Sequence, residues 1–475
     1  MKALASICAA TTALAVVACG GSGDYVSKVD PYIGSGGHGH VFVGANVPNG
    51  MIQVGPQNIH KGWDWCSGYH YSDSIIIGFT HTHLSGTGCA DLGDILLMPY
   101  TGDVRTSRGS QEDISGSCSS YYSHDNETVR PGYYSLTMDN GIGVELTATE
   151  RVALHRYTYP AGQMPRLLIN LQEGNGDTAY ETSLTKVDDY TIEGYRFSSG
   201  WSRHKVYFCL RSEQPIASIA LFEGDTPAAD NSETITGRGV KGVVTFADDP
   251  TQVALRVAIS SVSCQNARLN MDAETDGFQF AKVERQATDK WNRRLSQIKV
   301  EGDMGAEASS DISGLIGQYA HGNEPSHHVA YLYPYAGQQW KTAEKVRYID
   351  REFYTDSPDG IIGNEDCGQM SAWYIMSAMG FYQVNPSNGV FVFGSSLFPS
   401  LTLRLENGRS FTVTAEGNSD TNIYIQSATL NGQPYEKSYI TYDDIMAGGE
   451  LHFVMGDEPN KSFGAAPESR PVSAQ

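Results

Sequence analysis

The sequence predicts a multidomain α+β protein, in which a large antiparallel β-sandwich precedes a helical region and a closing set of β-strands. Short runs of alternating apolar residues, separated by Gly, Asn and Asp turns, fill residues 24–270. Helical periodicity follows, and strand patterns return from residue 384 onward. A chain of 475 residues with 40% hydrophobic and 18% charged residues is long enough for two or three globular domains.

Residues 1–18 have the pattern of an export signal. Lys2 supplies a positive charge, residues 3–18 are apolar and small, and Cys19 follows directly. This pattern resembles a bacterial lipoprotein signal peptide, after which Cys19 becomes the lipidated N-terminus; a simple cleaved signal peptide is the alternative. The apolar run is shorter than the ~20 residues of a transmembrane helix. The expected location is the bacterial cell envelope, in the periplasm or on the outer membrane surface, with membrane contact only through the lipid anchor.

The formal net charge of −21 argues against two classes of partner, nucleic acid and anionic membrane surfaces, because no basic patch is present to replace their counterions. Neutral ligands such as sugars, or cations, are compatible with this charge. The six cysteines after Cys19 have irregular spacing and form no CxxC pair. The sequence therefore predicts neither a disulfide framework nor a zinc site.

The first part of the predicted sandwich is rich in glycine and histidine. The run Gly34–Gly39 lacks the strand-then-helix context of a nucleotide-binding loop, so that interpretation is rejected. Structural histidines fit better than metal ligands, because no Cys, Asp or Glu stands at metal-finger spacing beside them. The histidines concerned are His38, His40, His60, His70, His81 and His83.

Aromatic residues with polar neighbours cluster from Trp63 to Tyr71, with Trp65 near the centre. Their ring faces could stack on the C–H faces of a sugar while their polar tips bond its hydroxyls. An aromatic core cluster explains the same residues equally well.

Residues 271–300 predict a linker helix, because Phe280, Ala287 and Trp291 recur at spacings of seven and four on one face. Residues 384–463 predict a C-terminal β segment with hairpin turns at Asn407-Gly408 and Asn431-Gly432. Residues 464–475 are rich in Ala, Pro and Ser and predict a disordered tail.

Two acidic loops, separated by a helical pattern from Lys341 to Tyr354, lie between Gly322 and Gln383. The first loop contains Glu324, and the second contains Glu365 and Asp366. Carboxylates placed in Gly- and Pro-containing loops beside helices are typical of catalytic sites.

Several motifs in this chain resemble the exo-acting α-mannosidases of glycoside hydrolase family 92, over nearly the whole chain after Cys19. They are Val29-Asp30-Pro31-Tyr32-Ile33-Gly34, Gly37-His38-Gly39-His40, Ser67-Gly68-Tyr69, Phe79-Thr80-His81-Thr82-His83, His321-Gly322-Asn323-Glu324-Pro325-Ser326-His327-His328 and Gly363-Asn364-Glu365-Asp366-Cys367-Gly368-Gln369-Met370-Ser371-Ala372-Trp373. The last two motifs are long and highly specific.

The resemblance implies an N-terminal β-sandwich, a helical linker, an (α/α)6 barrel and a closing β segment. Family members remove terminal mannose from glycans with inversion and depend on Ca²⁺. The resemblance implies that Asp366 is the general base, with Glu365 in support. It implies substrate contacts from Trp65, Asn323, Glu324 and His327. The calcium ligands that it implies are Asn323, Glu324 and Asp366.

The chain departs from this pattern in the barrel. Twelve helices with their connections need roughly 200 residues, whereas residues 303–383 offer about 80. No Glu-Gly-Asn motif, whose glutamate is the family's expected general acid, occurs between Val300 and Gln383. The sequence therefore predicts a remnant of the barrel at 303–383, with an internal loss near Val300 to Asp303.

Two functions follow from this reading. The first is a calcium-dependent, inverting exo-α-mannosidase. The alternative is a catalytically inactive sugar-binding lipoprotein or fragment, because the segment with the general acid is missing.

Overall fold

The computed structural model describes residues 24–229, 232–301, 315–316 and 319–472. The predicted signal peptide and Cys19 lie outside these residues, as do Gly302 and Asp303 at the predicted junction. Within the described ranges, no helix is long and apolar enough to cross a membrane.

The N-terminal domain consists of strands arranged mainly in two large antiparallel sheets. The strands are β1 (Gly55–Gln57), β2 (Ile75–Ile76), β3 (Gly78–Thr80), β4 (Leu96–Thr101), β5 (Ser120–Tyr121), β6 (Glu127–Arg130), β7 (Tyr133–Thr137), β8 (Gly143–Ala148), β9 (Val152–Thr158), β10 (Pro165–Asn170), β11 (Thr178–Lys186), β12 (Thr191–Ser199), β13 (Arg203–Ser212), β14 (Ile216–Glu223), β15 (Thr226–Pro227), β16 (Thr234–Gly237), β17 (Val240–Phe246) and β18 (Gln252–Ser260).

One sheet has seven strands in the order β1-β3-β4-β10-β17-β14-β15, and the other has nine in the order β16-β11-β12-β13-β18-β9-β8-β7-β6. Alternate residues of each strand point into a shared core, which contains Leu146, Leu167 and Phe208. The predicted antiparallel sandwich is confirmed.

The region predicted as one linker helix at 271–300 is instead two helices and a strand. Helix α1 (Cys264–Glu274) begins at Ser263, whose hydroxyl accepts the Asn266 N–H, and α2 (Phe280–Leu295) follows a turn at Gly277. Strand β19 (Ile298–Glu301) pairs antiparallel with residues 400–403. The helical pattern was therefore extended too far at its C-terminal end, because alternating Ile298 and Val300 also fit a strand.

The middle region contains two α-helices within its described residues, which is far from the twelve of a closed barrel. Its elements are β20 (Leu315–Ile316), β21 (Tyr319–Ala320), three 3-10 turns (Glu324–Ser326, Val329–Tyr331 and Tyr333–Ala336), α3 (Gln339–Glu352) and α4 (Gln369–Met379). The loss of the remaining helices near 300–303 stays a prediction.

Helix α4 is apolar on nearly all sides, and most of its surface is covered. Trp373 is fully buried with Tyr331 and Ile349 in a small core of its own. Ile33 and Val41 of the N-terminal domain also pack on that core. Ile375, in contrast, is 44% exposed, so only one face of α4 remains open.

The C-terminal region forms a six-stranded sheet, in the order β19-β24-β25-β29-β26-β27, and a three-stranded sheet, β22-β23-β28. Its elements are β22 (Phe381–Tyr382), β23 (Val390–Phe393), β24 (Ser400–Arg404), β25 (Ser410–Glu416), β26 (Tyr424–Leu430), β27 (Gln433–Pro434), β28 (Tyr439–Thr441), α5 (Tyr442–Ala447) and β29 (Gly449–Gly456).

The predicted disordered tail at 464–475 requires a correction. Residues 464–472 follow an ordered path that includes a 3-10 turn at Pro467–Ser469. The Ser438 N–H donates to the Ser469 carbonyl at 2.8 Å, which ties this segment to the C-terminal domain. Composition alone did not reveal this tertiary contact.

Candidate active site

The two acidic loops meet through a pair of facing glycines. A Cβ atom added to Gly363, which has a φ of 76°, would lie 2.9 Å from the Gly322 Cα, so Gly363 has no room for a side chain. This close approach brings Glu324, in its 3-10 turn, beside Asp366, which lies just before α4. The Glu324 carboxyl hydrogen-bonds the Asp366 carboxyl. The structure thus brings together two of the residues that the sequence predicted to share a site.

The pairing of these carboxyls changes the protonation of Glu324. Burial, followed by the hydrogen bond to Asp366 and the negative charge of that carboxylate, raises the pKa of Glu324 to about 7. Below neutral pH the two carboxyls therefore share one proton.

The backbone that carries Asp366 is strained. Asp366 and Cys367 have φ angles of 59° and 57°, in the left-handed region, which costs an L-residue roughly 1–2 kcal/mol. The Glu365 carboxylate holds this loop by accepting the Gly368 N–H at 2.6 Å and the Ser371 hydroxyl at 2.8 Å. Strain that the surroundings maintain in this way preorganises a side chain for function. Glu365 supports Asp366 through the backbone of the loop.

The N-terminal domain holds the same loop through its glycines. The Glu365 N–H donates to the Gly39 carbonyl at 3.2 Å, and the Cys367 N–H donates to the Gly86 carbonyl at 3.0 Å. The Gly36 N–H donates to the Pro358 carbonyl at 2.8 Å. The glycine run, which the sequence left without a function, is therefore a contact between domains. A run of glycines away from any helix start signals such a close backbone approach.

Replacing Gly86 with Ala tests this contact. Gly86 has a φ of 72°, and an added Cβ would lie 2.4 Å from the Glu365 Oε2 and 3.0 Å from the Cys367 nitrogen. We expect Gly86→Ala to lower the free energy of unfolding, as measured by urea denaturation. The decrease should be about 1–3 kcal/mol larger than that caused by a glycine-to-alanine change at a site where the added methyl group contacts no other atom.

Gly116→Ala is the matched control, because Gly116 has a φ of 71° and no atom within 4 Å of an added Cβ. Both variants carry the same left-handed backbone cost. Equal destabilisation of the two proteins would show that the Gly86 contact does not hold the loop.

Asn323 and His327 differ in their exposure to solvent. Asn323 is exposed, and its side-chain amide makes no hydrogen bond to a described residue. His327 is 1% exposed; its Nε2 is 3.0 Å from the His321 carbonyl oxygen and its Nδ1 is 3.1 Å from the Gln369 Nε2. Both ring nitrogens are engaged within the protein, and the contact between His327 and a substrate stays a prediction.

Trp65, the predicted aromatic contact, stacks on His70 with ring centroids 4.5 Å apart and donates to Asp73 at 3.0 Å. Its neighbour Trp63 is the residue that reaches the acidic loop. The Trp63 Nε1 donates to the Gly88 carbonyl at 2.9 Å.

A Cβ atom added to Gly88 would lie 3.2 Å from the Asn364 Nδ2 and 3.6 Å from the Trp63 Nε1, so both side chains border the same space beside Gly88. Trp63 is 51% exposed, so its indole is available to a ligand. The sequence pattern identified the aromatic cluster but did not show which indole faces the loop.

The histidines of the N-terminal domain divide into two groups. His81 and His83 are buried and lie 2.7 Å from the carbonyls of Ile95 and Ser67, which confirms their predicted structural role. His38 instead lies at the site, where its Nδ1 is 2.6 Å from the Asp64 Oδ1.

Metal-binding clusters of the zinc type are not found among the described residues, in which no three His, Cys, Asp or Glu side chains converge on one point. Oxygen ligands are present at the paired carboxyls. The Asn364 side chain, two residues before Asp366, lies beside the His40 imidazole and adds a buried amide oxygen to this region. Hard cations prefer carboxylate and amide oxygens, so this donor set suits such a cation better than zinc.

Comparisons with known proteins agree with this architecture. Residues 28–260 match the glycosyl hydrolase family 92 N-terminal domain, and residues 303–457 match the glycosyl hydrolase family 92 catalytic domain. An uncharacterized secreted glycosidase of Arthroderma benhamiae is 26% identical over 307 residues, which are 59% of this chain and 39% of that protein. The matched region thus spans well under half of the curated relative.

Two solved structures share the fold. A family GH92 α-mannosidase from Bacteroides thetaiotaomicron superimposes with a TM-score of 0.89 at 23% identity, covering 95% of this chain and 97% of that one. A family GH92 inverting mannosidase from the same species gives a TM-score of 0.82 at 19% identity, covering 95% and 99%. Similarity at this level of identity establishes the common fold.

Proposed function

Because this chain belongs to glycoside hydrolase family 92, we propose that it is an exo-acting α-mannosidase that hydrolyses terminal mannose from glycans with inversion. The observation that carries the proposal is the meeting of Glu324 and Asp366, each in a loop with a long family motif. The relatives with solved structures are described as α-mannosidases, one as inverting and one in complex with mannoimidazole.

In this proposal Asp366 is the general base. Inverting hydrolysis needs one carboxylate to activate water and one acid to protonate the leaving oxygen, with the two groups ~6.5–9.5 Å apart. Glu324 and Asp366 hydrogen-bond each other, so they are too close to divide these two roles. We assign both carboxyls to the activation of the attacking water. Asp366 accepts a proton from this water, and Glu324 holds Asp366 and the sugar hydroxyls in position.

Ca²⁺ is the proposed cofactor. When bound, it would polarise sugar hydroxyls and favour a distorted ring. Asn323, Glu324 and Asp366 would hold it, and the unpartnered amide of Asn323 together with the paired carboxyls suits an oxygen-ligated cation. The remaining ligands would come from backbone carbonyls, water and substrate, since Ca²⁺ takes six to eight oxygens.

Calcium binding should release a proton from Glu324. The raised pKa of about 7 means that the cation-free protein carries this proton below neutral pH and loses stability as pH rises from about 4.5 to about 7. We expect release of close to one proton per Ca²⁺ at pH 6 and almost none at pH 8.5. We also expect affinity to weaken about tenfold per pH unit below 7. Calorimetry in buffers of different ionisation enthalpy measures both quantities.

Glu324→Gln is the control for this titration, since it keeps the shape but cannot ionise. Its calcium binding should be weaker and should release no proton. Proton release that persists in Glu324→Gln would place the titrating group elsewhere.

The activity test compares two substrates. An aryl α-mannoside with a good leaving group needs little protonation, whereas a natural mannose disaccharide needs an acid. Proton NMR of the first product should show β-mannose, the result of inversion. Release of α-mannose from either substrate would overturn the inverting mechanism, and no release from both would favour the alternative below.

The alternative is an inactive sugar-binding protein. The absence of a Glu-Gly-Asn motif between Val300 and Gln383 favours it, because that motif carries the family's expected acid in the barrel. It predicts saturable binding of mannose oligosaccharides without hydrolysis of either substrate.

We also propose a location in the cell envelope, with Cys19 as the lipidated residue. The signal-like pattern of residues 1–18 supports this, together with the description of the matched relative as secreted. Cys19→Ser should move the protein from the membrane fraction to the soluble fraction.

A further inference from the structure

A group of aromatic side chains covers part of the outer face of the nine-stranded sheet. Along β12, Arg196 points inward and is fully buried, whereas Tyr195 and Phe197 point outward and are only partly buried. Tyr195 pairs across the strands with Tyr207 of β13, so both rings share one face. We call Tyr180, Tyr195, Phe197 and Tyr207 the aromatic platform.

The rings of the platform are close together, and each is at least partly accessible to solvent. The ring centroids of Tyr195 and Tyr207 are 5.5 Å apart, and those of Tyr180 and Phe197 are 6.1 Å apart. A β-bulge between Ala179 and Glu181 is where Tyr180 joins this surface, and Tyr180 is 49% exposed.

Helix α1 covers the neighbouring part of the same face and leaves the platform open. Near the start of α1, the Cys264 thiol donates to the Gly194 carbonyl, and further along Arg268 pairs with Glu193, the residue two positions before Tyr195. The platform is therefore the uncovered continuation of a surface that a helix occupies elsewhere.

Polar groups surround the rings. The Lys205 Nζ lies 3.7 Å from the centroid of the Tyr195 ring, and Glu181 accepts hydrogen bonds from both of these residues, at 3.4 Å and 2.7 Å. The guanidinium groups of Arg203 and Arg238 lie 4.9 Å from the Phe197 ring centroid and 5.8 Å from that of Tyr180.

The local charge is close to balanced. Glu223 accepts the backbone N–H of Arg238 and, with Glu181, offsets most of the positive charge of the three basic residues. A surface of this kind presents hydrogen-bond donors and acceptors without a strong field.

The turn at one end of the hairpin that carries the platform contacts a loop of the candidate active site. Trp201, at the turn between β12 and β13, is 80% exposed. The adjacent Ser202 N–H donates to Asp91 at 2.5 Å, and the loop that ends at Asp91 includes Gly88, the neighbour of Trp63 and Asn364. From Trp201 to Tyr207 the strand extends roughly 20 Å at ~3.3 Å per residue, away from the site.

We propose that the aromatic platform binds the oligosaccharide chain that extends from the terminal sugar held in the active site. Aromatic rings stack on the C–H faces of sugars, and the surrounding Glu, Lys, Arg and Tyr groups hydrogen-bond hydroxyls. A neutral chain is favoured over a polyanion, because the platform is nearly charge-balanced and the whole protein has a net charge of −21. The identity of the sugar, mannose, rests on the proposed function.

Affinity gel electrophoresis of the full chain, with soluble neutral α-mannan in the gel, tests this proposal. Mannan should retard the wild type, and Tyr180→Ala and Phe197→Ala should each weaken binding by about three- to tenfold. Tyr190→Ala is the matched control: Tyr190 is 48% exposed in the turn between β11 and β12, outside the platform, and its loss should change nothing. Thermal unfolding confirms that each variant is folded.

Each other result overturns the proposal. Absence of retardation of the wild type, or equal weakening by Tyr190→Ala, would show that the platform does not bind mannan. Concentration-dependent dimers that disappear in Tyr180→Ala would instead identify an interface between copies. Hydrolysis of a small aryl mannoside is measured in parallel. Loss of mannan binding with intact hydrolysis would overturn only the platform, whereas mannan binding without hydrolysis would overturn only the proposed mannosidase function.

Discussion

Asp366→Asn is expected to lower kcat by about 10²–10⁴-fold on any α-mannoside that the wild type cleaves, because the amide cannot accept the proton of the attacking water. Asn keeps the size of Asp and tolerates the left-handed backbone, at φ 59°, that this position requires. The fold should therefore be unchanged. Steady-state kinetics with an aryl mannoside measures the loss, and circular dichroism and thermal unfolding verify the structure.

Chemical rescue separates a general base from a residue that merely positions. In Asp366→Gly, which also suits the left-handed backbone, azide can attack the sugar without losing a proton. Activity should return with azide and yield β-mannosyl azide. Ser371→Ala, which removes one hydrogen bond to Glu365, should be far milder and show no azide effect. Wild-type rates in Asp366→Asn would disprove the assignment.

The sequence predicted the sandwich well because strand alternation depends on burial alone. Residues such as Leu146 and Phe208 must face the core, and their neighbours must face away. The acidic loops were also predictable, since Glu324 and Asp366 lie in long family motifs. Their direct contact was not, because it depends on the glycine pair of residues 322 and 363 approaching across 41 positions of chain.

The errors came from tertiary contacts that periodicity does not record. Ile298 fits both a helical face and a strand, and pairing with Leu403 decides for the strand. Trp63 and Trp65 are equivalent in sequence, and only the position of Gly88 selects Trp63 for the acidic loop. In each case a distant residue supplied the missing information.

Arg196→Met is expected to lower the free energy of unfolding by about 3–5 kcal/mol, the largest stability effect that the structure predicts. Arg196 is fully buried, and its guanidinium donates to Asp94 and Asp177 at 2.8 Å and to the Leu171 carbonyl at 3.2 Å. Its removal leaves two buried carboxylates without their common partner. Urea denaturation measures the change.

Arg268→Met is the matched control, because Arg268 pairs with Glu193 but its side chain is 40% exposed; an exposed pair contributes about 0–1 kcal/mol. The pH dependence gives a second readout. Burial would raise the pKa of Asp94, but the His204 hydrogen bond and the Arg196 charge lower it to about 2. The resulting stability is therefore present above about pH 4 and lost as pH falls toward 2. In Arg196→Met acid unfolding should begin at higher pH, and an unchanged acid transition would show that Arg196 does not hold Asp94 ionised.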